Sequence, residues 1–81
     1  EMERAELSEK IHLAIDSLPE KCKAIFVDAC IEECSYVEVA QKYDLSVNTV
    51  KVQVSKAYRI LREKLTKEQF SIFLLIFLKS E

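Results

Sequence analysis

The stretch that decides the fold is Ser35-Tyr36-Val37-Glu38-Val39-Ala40-Gln41-Lys42-Tyr43-Asp44-Leu45-Ser46-Val47-Asn48-Thr49-Val50-Lys51. Ser35 and Glu38 have the spacing of a capping box: the serine hydroxyl accepts from the backbone N–H of Glu38, whose carboxylate reaches back to the serine N–H. This predicts a short helix that opens at Ser35 and runs to about Tyr43. Asp44-Leu45-Ser46 reads as a tight turn. The chain has no glycine, so Asp44 is the residue best able to take a left-handed backbone, which aspartate tolerates better than most. Ser46 then caps a longer helix that extends to about Lys64.

The longer helix has the cleanest periodicity in the chain. At about 100° per residue, Val47, Val50, Val54, Ala57, Tyr58, Leu61 and Leu65 fall on one stripe. Asn48, Lys51, Val52, Ser55, Lys56, Arg59 and Arg62 fall on the other side. Within residues 46–64, the cations Lys51, Lys56, Arg59, Arg62 and Lys64 stand against Glu63 alone. A short capped helix, a three-residue turn and a longer helix with a basic outer face make a helix-turn-helix, the motif that lays its second helix in the DNA major groove. An ordinary helical hairpin with a solvated charged face fits the same pattern. Val52 sits in the middle of the polar face, where water gives it no reward. Contact with a thymine methyl in the major groove accounts for it, and so does the ordinary occurrence of singly exposed apolar residues.

Working outward, Leu7, Ile11, Ala14, Ile15 and Leu18 recur at helical spacing and predict a first helix over about residues 2–17. Pro19 stands where a new helix would begin, since its missing N–H costs nothing in a first turn. Cys22, Ile25, Phe26, Ala29 and Cys30 trace the apolar stripe of a second helix ending near Ile31. Towards the C-terminus, Phe70 to Leu78 is apolar at eight of nine positions and holds three of the four phenylalanines. It is shorter than the roughly 20 residues that span a bilayer, so no membrane span is expected. It reads either as a fifth helix folded back on the domain or as a sticky surface for a partner, a second copy of the chain among them; membrane association is a lesser third reading. The expected fold class is therefore all-α: a small helical bundle with a helix-turn-helix over residues 1–66, followed by an apolar C-terminal helical extension over 67–81.

Composition sets bounds on function. The 81 residues carry a formal net charge of −2, with 49% hydrophobic and 32% charged residues, ordinary for one folded domain with a modest core. The absence of glycine excludes Gly-rich phosphate loops and argues against tight β-hairpins. The net charge hides an asymmetry: residues 1–40 carry 4 basic and 10 acidic side chains, and residues 41–81 carry 8 basic and 4 acidic. Such a split suggests that the second half faces a polyanion. Cys22, Cys30 and Cys34 are odd in number and form no C-x2-C pair, which reads as reduced thiols in a cytoplasmic protein, with Cys22 and Cys30 as buried small hydrophobes. With a single histidine, His12, and no paired carboxylates, neither a metal site, a cofactor nor an enzyme is expected. The first residue is Glu1, as in a piece of a longer protein.

Leu18-Pro19-Glu20, Ser35-Tyr36-Val37-Glu38-Val39-Ala40, Leu45-Ser46-Val47-Asn48-Thr49-Val50-Lys51 and Lys56-Ala57-Tyr58-Arg59-Ile60-Leu61-Arg62 together resemble region 4 of bacterial sigma-70 factors, most of all the extracytoplasmic-function (ECF) group. The resemblance covers about residues 7–65. It implies a four-helix domain that recognises the minus-35 promoter element and docks on the flap of the RNA polymerase β subunit, with an anti-sigma factor as a further partner. It places base contacts at Lys51, Val52, Ser55 and Lys56. Backbone contacts fall at Ser35, Tyr36, Ser46, Asn48, Thr49 and Arg59, with Glu38 in the bracing helix. The family often has serine at the position of Val52 and arginine at that of Gln53. Two other readings remain: the DNA-binding effector domain of a response regulator, which shares the Ser-x-x-Thr-Val-Lys turn, and a sigma-like protein-interaction module that does not read DNA.

Overall fold

The computed structural model describes residues 4–77, and side chains over 6–75. Residues 2 and 3 of the expected first helix and Leu78 of the apolar run lie outside the described residues. Among these the chain is helical, without strands, in the order α1 (Arg4–Asp16), α2 (Glu20–Phe26), a π-helical turn (Val27–Ile31) that continues α2, α3 (Tyr36–Tyr43), α4 (Val47–Lys64) and α5 (Lys67–Phe77). This is the small all-α fold expected.

The helix ends follow local chemistry. At α3, the Ser35 hydroxyl accepts from the Glu38 N–H at 3.0 Å and the Ser35 N–H donates to Glu38 Oε1 at 2.9 Å. Asp44 adopts φ 58°, ψ 51°, the left-handed conformation expected of it. The Leu45 N–H then closes on the Ala40 carbonyl at 2.8 Å, so the last carbonyls of α3 are satisfied without glycine. Ser46 caps α4 by accepting from the Thr49 N–H at 3.0 Å. A second reciprocal box opens α5: the Thr66 Oγ1 accepts from the Gln69 N–H, and the Thr66 N–H donates to Gln69 Oε1, both at 3.0 Å.

One expectation needs correction, and one helix end takes a form that periodicity does not show. Pro19 is the N-cap of α2 (φ −55°, ψ 147°), one residue before the first helical position. Its extended ψ turns the chain into the helix, and its carbonyl accepts from the Lys23 N–H at 2.7 Å. The second helix ends at Ile31 as expected, but its last turn widens into a π-helix, with the Glu32 N–H donating to Val27 O at 2.8 Å. Glu33 leaves that turn at φ 62°, a second left-handed position occupied by a residue with a Cβ.

The core is one cluster drawn from all five helices. The stripes of α1 (Ile11, Ala14, Ile15), α2 (Cys22, Ile25, Phe26) and α4 (Val50, Val54, Ala57, Leu61) are buried, with Leu18 and Leu65 at the connections. Val47 and Tyr58 of the same α4 stripe are half-buried against it. An aromatic group ties α5 to this core. Phe73 is fully buried, stacked on Phe26 with ring centroids 6.1 Å apart, and Tyr58 meets Phe26 edge-on at 5.5 Å. Phe70 lies 6.0 Å from Phe73 and 6.5 Å from Tyr58. Over Phe70 to Phe77 the apolar run is thus helical and inserts one ring deep into the domain, while Leu75 remains 79% exposed. No helix among the described residues is long and apolar enough to cross a membrane.

Candidate nucleic-acid interface

α3 and α4 pack directly on each other across the Asp44-Leu45-Ser46 turn, with Val39 and Ala40 of α3 and Val50 of α4 in the core. Burial of one stripe of α4 forces the opposite stripe outward. Val52, Ser55, Lys56 and Arg59, spaced i, i+3, i+4 and i+7, line one shallow depression on that outer face. Lys51, Val52, Ser55, Arg59 and Asn48 are exposed, whereas Lys56 is half-buried. Of the candidate backbone contacts, Ser35 and Ser46 are exposed, and Tyr36 and Thr49 are half-buried. The Ser46 hydroxyl also donates to Thr49 Oγ1 at 2.9 Å, so it is committed to the cap in both directions. Ser35, Tyr36 and Glu38 sit at the first turn of α3 and Ser46, Asn48 and Thr49 at that of α4, so the candidate backbone contacts gather at the two helix N-termini except for Arg59, which lies in the second half of α4.

The electrostatics favour a polyanion on this face. The first turn of α4 carries no acidic residue, leaving the positive end of its dipole uncompensated. Among the described residues there are two ion pairs, Lys23–Asp16 at 2.8 Å and Lys42–Asp28 at 3.0 Å, and neither engages an α4 cation. Arg62 is drawn aside, its guanidinium lying over the Phe70 ring at 5.6 Å. Glu63 remains the single acidic residue of α4.

A polar brace behind the motif holds α3 in place. Asp28, in the π-helical turn, accepts from the Tyr43 hydroxyl at 2.6 Å and from Lys42 Nζ at 3.0 Å. The Tyr43 hydroxyl, with Lys42 beside it, holds the Asp28 carboxyl below the usual carboxylate range. The sequence reading missed this brace, because its partners lie far apart along the chain and carry no local signature.

The thiols and tyrosines have structural roles. Burial pushes the Cys22 and Cys30 thiols up, which keeps them protonated. Cys22 donates to the Gln53 carbonyl at 3.4 Å, and Cys30 meets the Tyr58 hydroxyl at 3.4 Å. Burial, together with the hydrogen bond to Cys30, raises the Tyr58 phenol far above its ordinary value. No three His, Cys, Asp or Glu side chains gather among the described residues in a way that could hold a metal ion.

Comparison with known proteins agrees with this geometry. The family model described as sigma-70, region 4 matches residues 8–61, a span that includes α2, α3, the turn and most of α4. The RNA polymerase sigma factor SigV of Bacillus subtilis (strain 168) is 34% identical over 61 residues, which cover 75% of this chain and 37% of that protein. The chain therefore spans little more than a third of the length of that relative. No solved structure matches it.

Proposed function

This chain belongs to the sigma-70 region 4 family, and on that premise we propose that it is the promoter-recognising domain of an ECF-type sigma factor. In this reading α4 enters the major groove of the minus-35 element, with Lys51, Val52, Ser55 and Lys56 at the bases. Ser35, Tyr36, Ser46, Asn48, Thr49 and Arg59 hold the flanking phosphates. The division of labour follows the chemistry: cations and helix N-termini supply affinity and orientation, and base-edge contacts supply sequence choice. The observation that carries the reading is the outer face of α4, basic and free of ion pairs among the described residues.

The function is transcription initiation by binding rather than by catalysis, in the cytoplasm, with promoter DNA and core RNA polymerase as partners. The domain docks on the β flap, and an anti-sigma factor competes for it. The part of the apolar stretch Phe70–Leu78 that the core leaves uncovered, at the exposed Leu75, joins two copies when the domain is isolated. The acidic first half keeps the isolated domain weakly attracted to DNA, so polymerase delivers it to the promoter. Run-off transcription with core polymerase and the full-length protein tests the proposal. Initiation from selected promoters is expected, and failure to direct polymerase to any promoter overturns it.

A further inference from the structure

Resting on the reading of α4 as the helix that enters the major groove, we propose that Val52 recognises the C5-methyl group of one thymine in the bound site. Val52 is 54% exposed on the outer face of α4. The fold gives it nothing to pack on: its neighbours on that face are Asn48, Lys51, Ser55, Lys56 and Arg59. Valine is also a weaker helix former than the lysines and arginines around it, so local structure does not reward it either. A protein partner would demand a contiguous apolar patch. The other large apolar side chains that are exposed among the described residues, Leu13, Val37 and Leu75, lie on α1, α3 and α5.

The ligand chemistry that fits a lone apolar side chain ringed by donors and cations is a DNA major groove, where the thymine methyl is the apolar feature among base-edge donors and acceptors. The geometry suits it. Val52 lies in the second turn of α4, in the N-terminal part of the helix that reaches base edges in helix-turn-helix docking. Arg59, seven residues on, stands about 10 Å further along the axis, close to the width of the groove, and can reach a phosphate while Val52 faces the bases. β-Branching holds the valine in essentially one side-chain rotamer within a helix, so its methyl groups are presented with little entropy left to lose on contact.

The test uses the 81-residue chain at low ionic strength. A bound site is first selected from random duplexes, and each thymine in it is then replaced singly by deoxyuridine, which removes only the methyl. One replacement is expected to weaken binding of the unaltered chain about fourfold, the equivalent of unburying one methyl-sized group. The same replacement should change binding of Val52→Ala by less than about 1.5-fold. The salt dependence of Val52→Ala should match that of the unaltered chain, since no phosphate contact is lost. The inference is overturned if no replacement weakens the unaltered chain, or if the sensitive one weakens Val52→Ala equally. Selection that enriches no sequence overturns this inference; the promoter-reading function falls only if core polymerase with the full-length protein initiates from no promoter. Enrichment without methyl dependence overturns this inference alone.

Discussion

Truncation of Phe73 should remove at least a quarter of the stability of this domain. Phe73 is fully buried, with its ring centroid 6.1 Å from Phe26, 6.4 Å from Tyr58 and 6.0 Å from Phe70. Phe73→Ala deletes a whole ring from the junction of α2, α4 and α5, and such truncations cost about 3–5 kcal/mol through lost transfer energy and the cavity left behind. At roughly 0.05–0.15 kcal/mol per residue, an 81-residue domain has about 4–12 kcal/mol in total. The variant should thus lose a quarter of its stability at best and all of it at worst, leaving it unfolded. Urea unfolding followed by far-ultraviolet circular dichroism measures this, with thermal unfolding expected to shift down by at least about 12 °C. Leu75→Ala on the same helix is the control: at 79% exposure it should change stability by no more than about 0.5 kcal/mol. A loss below about 1 kcal/mol for Phe73→Ala would show that α5 is not a layer of the fold, and would refute the reasoning.

Three further outcomes follow from local geometry. Asp44→Val should cost about 1–2 kcal/mol, because a β-branched residue resists φ 58°, while Asp44→Gly should be neutral or mildly stabilising; equal stability of the two in urea would contradict a left-handed demand. Asp28→Asn should weaken the fold near neutral pH by about 1–3 kcal/mol, since the carboxylate accepts from both Tyr43 and Lys42. The folded carboxyl titrates below its unfolded value, so its contribution is complete above about pH 5 and fades as pH falls through the folded pKa. The stability difference between the two proteins should therefore shrink on acidification, and a difference constant down to pH 2 would rule the brace out. Arg59→Ala should make the salt dependence of DNA binding shallower by about one unit, read by fluorescence anisotropy over a salt series; an unchanged slope and affinity would remove Arg59 from the phosphate contacts.

The parts legible in the sequence are those governed by neighbours a few residues apart. The Ser35–Glu38 box, the Ser46 cap and the left-handed Asp44 each follow from donors, acceptors and steric freedom within one turn of chain. The buried stripe of α4 follows from helical period alone, and with it the outward placement of Lys51, Val52, Ser55 and Arg59. The Thr66–Gln69 box was equally readable, since its hydroxyl and amide stand at capping distance in sequence. Glu33 gave no such signal: its positive φ is imposed by the π-helical turn before it, and glutamate has no special tolerance for that conformation.

The sequence by itself determined the helices, the caps of α3 and α4, the turn between them, and which face of α4 looks away from the core. These are short-range matters of hydrogen-bond satisfaction and 3.6-residue periodicity, and they point to the same motif as the family to which the chain belongs. Tertiary structure decided what depends on residues far apart along the chain. It joined Asp28 to Lys42 and Tyr43, set Cys30 against the Tyr58 hydroxyl, and sent Phe73 of α5 into the core beside Phe26. It also drew Lys56 half out of solvent and placed Arg62 over Phe70. The cations on α4 are thereby unequally exposed to solvent. Periodicity assigns a side chain to a face, but only the packing of other helices against that face settles how far the side chain can reach.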